Sequence, residues 1–309
     1  MSSSHASLFQ EILNETSYGG NKLIKPAGVR IPFTPEQIKE FTKCKLDPIY
    51  FTKTYVKIIT LDKGLTNFDL FDVQEEIIQT LNDRRFTMIT TGRQCGKTIT
   101  TVAFLLHYII FNDEKTVGIF ANKAAGARMI LERLQLAYMY LPKWMQPGVR
   151  EWNKGSFLLD NESRVIANST SSDAARGQSL DICYMDEFAF VKNHIAEDFF
   201  TSVFPTISSG TSSKVIITST PNGIGNLYHR MWQEALDEKS EYKALFYDWR
   251  ARPDRDEKWA ELQRRNTSER QFRQEHCVHG DTIVTVKNKK TGKVEEISIE
   301  LLYNRLQGH

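Results

Sequence analysis

The sequence lacks several features that would mark it as a secreted, zinc-binding or membrane protein. It has only four cysteines, and Cys44, Cys95, Cys183 and Cys277 lie far apart without a C-x-x-C pair. This spacing argues against a disulfide framework or a zinc site and fits a reducing cytoplasm. The N-terminus has no basic and then apolar signal pattern, and the longest apolar run, residues 101–111, is too short to span a bilayer. We therefore expect a cytosolic protein with no membrane role.

The sequence also lacks a strong excess of charge. Its 40 Lys and Arg residues against 38 Asp and Glu residues give a formal net charge of +2. This balance neither requires nor excludes a nucleic-acid partner, because a basic groove can lie on a nearly neutral protein. The content of 40% hydrophobic and 25% charged residues is ordinary for a globular protein, which at this length can form one large domain or two smaller ones.

What the sequence does contain is the strand, loop and helix order of a phosphate-binding P-loop. A β-prone run over residues 86–90 leads through TGRQCGKT into an apolar segment long enough for a helix. Gly96 allows close approach of the backbone to a phosphate, Lys97 can reach the β and γ phosphates, and Thr98 can ligate Mg²⁺. In the motif G-x-x-x-x-G-K-S/T, the first glycine is replaced by Thr91. The predicted ATP-binding residues of the loop are Thr91, Gly92, Arg93, Gln94, Cys95, Gly96, Lys97 and Thr98.

Strand-like and helix-like segments alternate beyond this loop. Residues 115–122 predict a buried strand, residues 124–141 an amphipathic helix, and residues 150–168 a hairpin. Two further strands, each ending in polar residues, are predicted at 181–187 and 214–223. This alternation predicts an α/β fold with a parallel central sheet and right-handed crossovers.

One of these strands ends in two carboxylates. The run ICYMDE places Asp186 and Glu187 at the edge of a parallel sheet where ligands bind. Asp186 can hold Mg²⁺ through water there, while Glu187 orients and deprotonates an attacking water. A glutamate beside the aspartate favours hydrolysis coupled to mechanical work over a simple kinase or switch GTPase. The alternative is an exposed acidic strand end with no catalytic role.

A glutamine that precedes the P-loop is a candidate for base recognition. Gln74 could hydrogen-bond the two edges of adenine, while Phe71 offers a face for stacking. A surface glutamine at the start of a helix is an equally good interpretation. Further towards the N-terminus, Thr34 is predicted to cap a helix over residues 35–43.

Six segments occur in the order of a known family: TTGRQCGKT, VREWNKGS, DAARGQS, ICYMDEFAF, VIITSTPNG and QFRQEH. Together they resemble the ATPase motor of the large terminase subunit of tailed, T-even-like bacteriophages, over residues 68–276. The resemblance implies a three-layered P-loop NTPase of the ASCE type. The charged stretch 235–276, with Trp249 and Trp259, fits a small helical lid, and solvated helix faces are the alternative. The resemblance also implies a motor that uses ATP and Mg²⁺ to pump double-stranded DNA into the prohead. The implied partners are the portal protein, the small terminase subunit and further copies in a ring, in the host cytoplasm and transiently at the prohead portal.

The same resemblance implies roles for individual residues. Lys97 and Thr98 bind phosphate and Mg²⁺, Asp186 assists the metal, and Glu187 is the catalytic base. Arg93 matches a residue proposed as an arginine finger from the same subunit, and an arginine of a neighbouring subunit is the alternative.

The resemblance extends to residues around the loop. Gln74 matches the adenine-reading glutamine, although Val73 replaces the aromatic residue common before it. Ser219 and Thr220 match the coupling motif that senses hydrolysis. Arg176 is a second candidate for contact with nucleotide or a neighbouring subunit, and a plain surface arginine is the alternative.

The end of the sequence resembles the first block of an intein. Cys277 is followed by Gly280-Asp281-Thr282 and by strand-like runs at 282–287 and 294–299. Its thiol would attack the carbonyl carbon of His276 and convert the amide into a thioester. Residues 277–309 are too few for a nuclease domain, so we expect the N-terminal half of a split intein, with the complementary half on a separate nuclease-bearing chain. The alternative is a terminase motor truncated by a frameshift or by incomplete sequence.

These predictions divide the chain into four parts: an N-terminal segment (1–65), a P-loop ATPase core (66–234), a helical lid or linker (235–276) and a β-rich split-intein fragment (277–309), which we expect to become ordered with its partner. Two other functional classes stay open. A P-loop helicase or chromatin-type ATPase would be expected to have a second nucleotide-domain half. A nonenzymatic scaffold for portal assembly would show no ATP turnover.

Overall fold

Helices and strands alternate in the computed structural model, which describes residues 17–171, 179–208, 210–276, 283–287 and 294–298. The α-helices are α1 (Pro35–Leu46), α2 (Pro48–Tyr55), α3 (Asp72–Asp83), α4 (Lys97–Phe111), α5 (Ala124–Met139), α6 (Asn193–Ser208), α7 (Leu227–Leu236), α8 (Glu257–Asn266) and α9 (Glu269–His276). The strands are β1 (Lys57–Thr60), β2 (Gly64–Asn67), β3 (Phe86–Thr91), β4 (Thr116–Ala121), β5 (Val149–Trp152), β6 (Ser156–Leu159), β7 (Arg164–Ser169), β8 (Ile182–Asp186), β9 (Lys214–Ser219), β10 (Lys243–Tyr247), β11 (Ile283–Lys287) and β12 (Val294–Ser298).

An eight-stranded sheet forms the centre of the described fold, in the order β10-β3-β9-β8-β4-β7-β6-β5. The strands from β10 to β7 are parallel, and β6 and β5 extend the sheet as an antiparallel edge. Strand β9 lies between β3, which leads into the P-loop, and β8, which ends at Asp186. The prediction of an α/β P-loop NTPase fold with a mostly parallel central sheet is confirmed.

The sheet separates two apolar cores, because successive residues of a strand point to opposite faces. Ile182 and Tyr184 of β8 belong to a core shared with helices α1 to α5. Cys183 and Met185 of the same strand belong to a core shared with α6 and α7. Burial of such apolar side chains contributes about 1.5–3 kcal/mol each. The result is the predicted three-layered arrangement, with the carboxyl ends of the parallel strands left at one edge.

The structure confirms the predicted helix cap at Thr34 and part of the predicted hairpin. Thr34 caps α1: its hydroxyl accepts a hydrogen bond from the Gln37 N–H at 3.2 Å, and the Gln37 side chain accepts one from the Thr34 N–H at 2.9 Å. This reciprocal pair satisfies two donors that the helix start would leave unpaired. The hairpin predicted over residues 150–168 is confirmed for β6 and β7, with Glu162 in its turn at a φ of 62°, but the same stretch also contains β5, which pairs with β6 and was not predicted.

The predicted helical lid over 235–276 needs correction. Helices α8 and α9 do pack around a small core of Trp249, Ala260 and Phe272, but the same stretch also contributes β10, which pairs in parallel with β3. The short run KALFY was missed because its strand character depends on pairing with β3 rather than on a long local pattern. The predicted divisions at 65 and 234 fall inside β2 and α7.

Strands β11 and β12 pair as an antiparallel hairpin, from Ile283 opposite Ser298 to Lys287 opposite Val294. These are the two strands that the sequence predicts near its end. In the described part of the chain, no helix is both long enough and apolar enough to cross a membrane.

Candidate nucleotide-binding and hydrolysis site

The P-loop connects β3 to α4 at the carboxyl edge of the parallel strands. Thr91 ends β3 and Gly96 is the N-cap of α4, with a φ of 86°. Gln94 also has a positive φ, of 61°. Left-handed backbone of this kind folds the chain into a tight loop in which successive N–H groups can face one anion. The first N–H groups of α4, which have no carbonyl partner within the helix, add positive potential at the same place.

Lys97 and Glu187 meet across this loop. The Lys97 Nζ donates a hydrogen bond to the Glu187 Oε1 at 2.8 Å. The lysine side chain is only 8% exposed, whereas that of the glutamate is 37% exposed. A buried ammonium group needs an anionic partner to offset its loss of hydration. Glu187 supplies that partner here, from the position at which the sequence predicts the catalytic base.

Glu187 is turned out of the sheet by its own backbone. It follows the last residue of β8 with φ 51° and ψ 40°, a left-handed conformation that costs a residue with a Cβ about 1–2 kcal/mol. Its Oε2 accepts hydrogen bonds from the Thr220 N–H at 3.4 Å and the Thr220 hydroxyl at 3.3 Å. The carboxylate therefore contacts both the P-loop lysine and the end of β9.

Asp186 is buried at the end of β8 and its two oxygens have different partners. Thr218 donates its hydroxyl to Oδ1 at 2.5 Å, and Thr98 donates its hydroxyl to Oδ2 at 3.4 Å. Burial raises the pKa of the Asp186 carboxyl, and the charge of Lys97 and the hydrogen bond from Thr218 oppose that shift only in part. A divalent cation would offset the cost of burial by stabilising the ionised form.

The donor set of Thr98 and Asp186 fits magnesium. A hydroxyl oxygen and a carboxylate oxygen lie 3.4 Å apart, and both are hard oxygen ligands of the type that Mg²⁺ prefers. Magnesium at nucleotide sites commonly takes one or two such protein groups and completes its shell with phosphate oxygens and water. The predicted metal residues are therefore adjacent in the fold.

The end of β9 carries the predicted coupling residues. The Ser219 hydroxyl donates to the Thr220 carbonyl at 2.8 Å and accepts the Ala189 N–H at 3.2 Å. Ser219 thus reaches the 3₁₀ turn that follows Glu187, while Thr220 reaches Glu187 itself. Sequence reasoning missed Thr218, whose contact with Asp186 follows from the pairing of β8 with β9 rather than from any local motif.

Gln74 lies against the P-loop but has a structural partner already. The residue is buried, and its Oε1 accepts a hydrogen bond from the Phe71 N–H at 3.0 Å. A Cβ built on Gly96 would lie 2.2 Å from the Gln74 Nε2, so the amide fills the space that the glycine leaves. The Arg252 guanidinium lies over the Phe71 ring, 5.8 Å from its centroid.

Arg93 is held by the end of α9. Its guanidinium forms an ion pair with Glu275, and its N–H donates to the Glu275 carbonyl at 2.6 Å. The backbone of His276 lies beside Gly92, since a Cβ on that glycine would be 3.1 Å from the His276 Cα. Burial, together with the charges of Arg255 and Arg93, lowers the pKa of His276 to about 4. The last described helix before the predicted splice junction therefore packs on the P-loop.

Two predicted residues cannot be placed at the site, and two others were not predicted. Arg176 and Cys277 fall outside the described residues. Conversely, Arg252 and Arg255 contact the loop although no sequence pattern selected them. Both belong to the basic stretch RARPDR, and only its position after β10 brings it to the P-loop.

Solved structures with a similar fold include phage terminases. The large terminase ATPase domain of Thermus phage P74-26 has 19% sequence identity and a TM-score of 0.57, and the match covers 68% of this chain and 93% of that one. The large terminase of bacteriophage HK97 has 17% identity and a TM-score of 0.58, over 74% of this chain and 50% of that one. A large terminase from a thermophilic bacteriophage, in complex with ATP-γ-S, has 13% identity and a TM-score of 0.54, over 68% of this chain and 52% of that one.

The chain thus spans about half the length of the HK97 protein and of the terminase solved with ATP-γ-S. A family model described as "Terminase large subunit, T4likevirus-type, N-terminal" matches residues 88–281, which is more than half of the sequence. The matched region contains the P-loop, both carboxylates at the end of β8, and the end of β9. This chain belongs to that family of terminase large subunits.

Proposed function

We propose that this chain is the ATP-hydrolysing motor part of a terminase large subunit and drives double-stranded DNA into a capsid. The observation that carries the proposal is the 2.8 Å contact between Lys97 of the P-loop and Glu187 at the end of β8. Thr98 and Asp186 lie beside this pair. A phosphate-binding cation, a candidate base and two candidate magnesium ligands are therefore within reach of one phosphate group.

The contacts suggest an exchange of partners when ATP binds. Lys97 would leave Glu187 for the β and γ phosphate oxygens, where the P-loop N–H groups also donate. Mg²⁺, held by Thr98 and through water by Asp186, would neutralise charge on the phosphates. Glu187 would then be free to take a proton from the attacking water, while Thr220 keeps its carboxylate oriented. Positioning and electrostatic stabilisation supply most of the rate in such a site.

The coupling of ATP hydrolysis to movement of the chain would start from Glu187. Any movement of Glu187 changes its contacts with Thr220, and Ser219 ties the end of β9 to the turn after Glu187. Arg93 would act as an arginine finger only after it leaves Glu275, and an arginine of a neighbouring subunit is the alternative. Gln74 would contact adenine from the side of the P-loop.

The partners of this motor form part of the proposal. They are double-stranded DNA, the portal protein, the small terminase subunit and further copies of the chain in a ring. We also propose trans-splicing: Cys277 would join residue 276 to a chain that carries the complementary intein half and the nuclease. The strand pattern of β11 and β12 supports this proposal, and a truncated motor without splicing is its alternative.

The substitution Glu187→Gln tests the hydrolytic site. It keeps the shape of the side chain but removes the base, so ATP turnover should fall by about 10²–10⁴-fold while ATP-γ-S still binds. The matched control is Glu197→Gln, because Glu197 is partly exposed and its described contacts are with the surface residues Arg230 and Asn193. Undiminished turnover in Glu187→Gln would overturn the assigned base. If the unsubstituted chain does not hydrolyse ATP even with DNA and portal present, the result would favour the alternative of a nonenzymatic scaffold for portal assembly.

The splicing proposal has a separate test. The chain is mixed with a partner carrying a complementary intein half and a nuclease domain, and the products are weighed by mass spectrometry. Ligation at residue 276 with release of 277–309, abolished in Cys277→Ala, would support splicing. Absence of ligation with a bound, folded partner would favour the truncated motor and leave the ATPase proposal intact.

A further inference from the structure

Arg252 and Arg255, in the stretch after β10, both donate hydrogen bonds to the P-loop. The Arg252 Nη1 donates a hydrogen bond to the Gln94 carbonyl at 2.7 Å. The Arg255 Nη1 donates to the Arg93 carbonyl at 3.1 Å, and its Nη2 donates to the Gln94 Oε1 at 3.4 Å. The Arg255 Nη1 also lies 3.7 Å from the Cys95 sulfur. Three successive residues of the loop are thus held by two guanidinium groups.

The setting of Arg255 is unusual for a charged group. Its side chain is buried, with the guanidinium 4.3 Å from the centroid of the Trp259 ring. Its described hydrogen-bond acceptors are a carbonyl, an amide oxygen and a thiol, all of them uncharged. Arg252, by contrast, forms an ion pair with Asp254 at 2.5 Å. A buried cation costs free energy unless it interacts with strong acceptors. The Arg93 carbonyl and the Gln94 side-chain oxygen supply hydrogen bonds that offset this cost, together with the Trp259 ring.

The direction of these bonds matters for the opposite side of the loop. In a trans peptide unit the carbonyl and the N–H point in opposite directions. Arg255 binds the Arg93 carbonyl, so the N–H of the same peptide unit, that of Gln94, points away from Arg255. Arg252 binds the Gln94 carbonyl, so the Cys95 N–H points away from Arg252. Each cation also polarises its peptide unit, which makes the N–H a stronger donor. These two N–H groups immediately precede Gly96 and belong to the phosphate-binding stretch.

The Cys95 N–H has only a weak partner within the loop. It donates to the Gly92 carbonyl at 3.4 Å, near the upper limit for a hydrogen bond. A phosphate oxygen would offer this donor a stronger, charge-assisted acceptor. The loop is also fixed by the end of β10, because the Gly92 N–H donates to the Tyr247 carbonyl at 3.2 Å.

We propose that Arg252 and Arg255 are positioning residues for the nucleotide phosphates: they hold the carbonyl groups of Arg93 and Gln94 so that the N–H groups of the P-loop face the anion. Neither arginine needs to touch the nucleotide. This inference rests on the proposed ATPase function and deepens it. It also makes residues 249–276 part of the nucleotide site, since Trp259 of α8 stacks on the Arg255 guanidinium.

The test compares KM with kcat for ATP in the full chain. Arg255→Gln and Arg252→Gln should each raise KM, and the Kd for MgADP, by about tenfold, because each removes a charge-assisted hydrogen bond that supports binding. The value of kcat should change by less than about twofold, since the loss affects bound substrate and transition state equally. Arg255→Lys should recover part of the affinity because it retains the cation.

A purely structural role predicts the opposite pattern, in which a reduced folded fraction lowers apparent kcat and leaves KM unchanged. The matched control is Arg250→Gln, because Arg250 is exposed and pairs with Asp248 and Glu257. It should leave KM unchanged. Arg252 is partly exposed, so its variant keeps the test usable if Arg255→Gln does not fold.

The outcomes separate this inference from the function on which it rests. Nucleotide binding by the unsubstituted chain that is lost in Lys97→Ala, with normal KM in both arginine variants, would overturn the positioning role alone. No binding and no hydrolysis by the unsubstituted chain would overturn both proposals. A raised KM with preserved kcat, partly restored in Arg255→Lys, would support the inference.

Discussion

The fit between Gly96 and Gln74 can be tested by one substitution. Gly96 has a φ of 86°, and a Cβ at this position would lie 2.2 Å from the Gln74 Nε2. The Gln74 amide cannot move away freely, because it is buried and its Oε1 accepts the Phe71 N–H at 3.0 Å. We therefore expect Gly96→Ala to strain the loop and to displace the glutamine from the start of α3.

Two contributions determine the expected loss of stability. The left-handed backbone costs an alanine about 1–2 kcal/mol. Displacement of the Gln74 amide would leave the partly buried Phe71 N–H without its acceptor, which costs about 1–3 kcal/mol. The free energy of unfolding should therefore fall by about 2–5 kcal/mol in Gly96→Ala. Gly28→Ala is the control for the first contribution, since Gly28 has a φ of 78° but no atom within 4 Å of an added Cβ.

A double-mutant cycle isolates the second contribution. Gln74→Ala removes the atom that the new Cβ would meet, so the double variant should be more stable than the two single losses added together. We expect a coupling free energy of about 1–3 kcal/mol, measured by urea unfolding of all four proteins. Additive losses, together with a Gly96→Ala effect no larger than that of Gly28→Ala, would refute the packing of Gln74 on the P-loop. Binding of MgADP, measured alongside, should weaken in Gly96→Ala.

Three further predictions concern charged groups. Asp186→Asn should raise the Tm of the ligand-free protein, because burial of the ionised carboxyl is unfavourable. The same substitution should abolish the effect of Mg²⁺ on ADP affinity, and an unchanged Mg²⁺ effect would contradict the metal assignment. Burial lowers the pKa of His107 from 6.5 to about 4, so the unfolded chain binds the proton more readily and stability should fall by about 3 kcal/mol as the pH drops from 6.5 to 4. The free energy of unfolding, measured with urea at several pH values in that range, should change less with pH in His107→Gln than in the unsubstituted chain. The same pH dependence in both proteins would contradict the assignment. Glu275→Gln should change Tm little, because the Arg93 side chain in this ion pair is 58% exposed. If Arg93 must leave Glu275 to act as an arginine finger, the substitution should tighten ATP binding several-fold. An unchanged Kd for ATP would argue against that role of Arg93.

The local features of this protein could be predicted from its amino-acid sequence. The strand, loop and helix around Lys97, the cap at Thr34 and the strand that ends at Asp186 all follow from short-range patterns of apolar periodicity, turn residues and capping. The order of the six motifs also predicts the family of terminase large subunits to which the chain belongs. These features depend on residues close together in the chain, so a linear pattern is sufficient to predict them.

The meeting of distant residues at the site, in contrast, depends on how the whole chain folds. Thr218 reaches Asp186 because β9 pairs with β8, and β10 brings Arg252 and Arg255 to the P-loop because it pairs with β3. The ion pair between Arg93 and Glu275 likewise joins residues that no local pattern relates. Hydrogen bonding between strands and the burial of apolar faces act on the whole sheet at once. The sequence of any one segment therefore does not reveal which neighbours it will have.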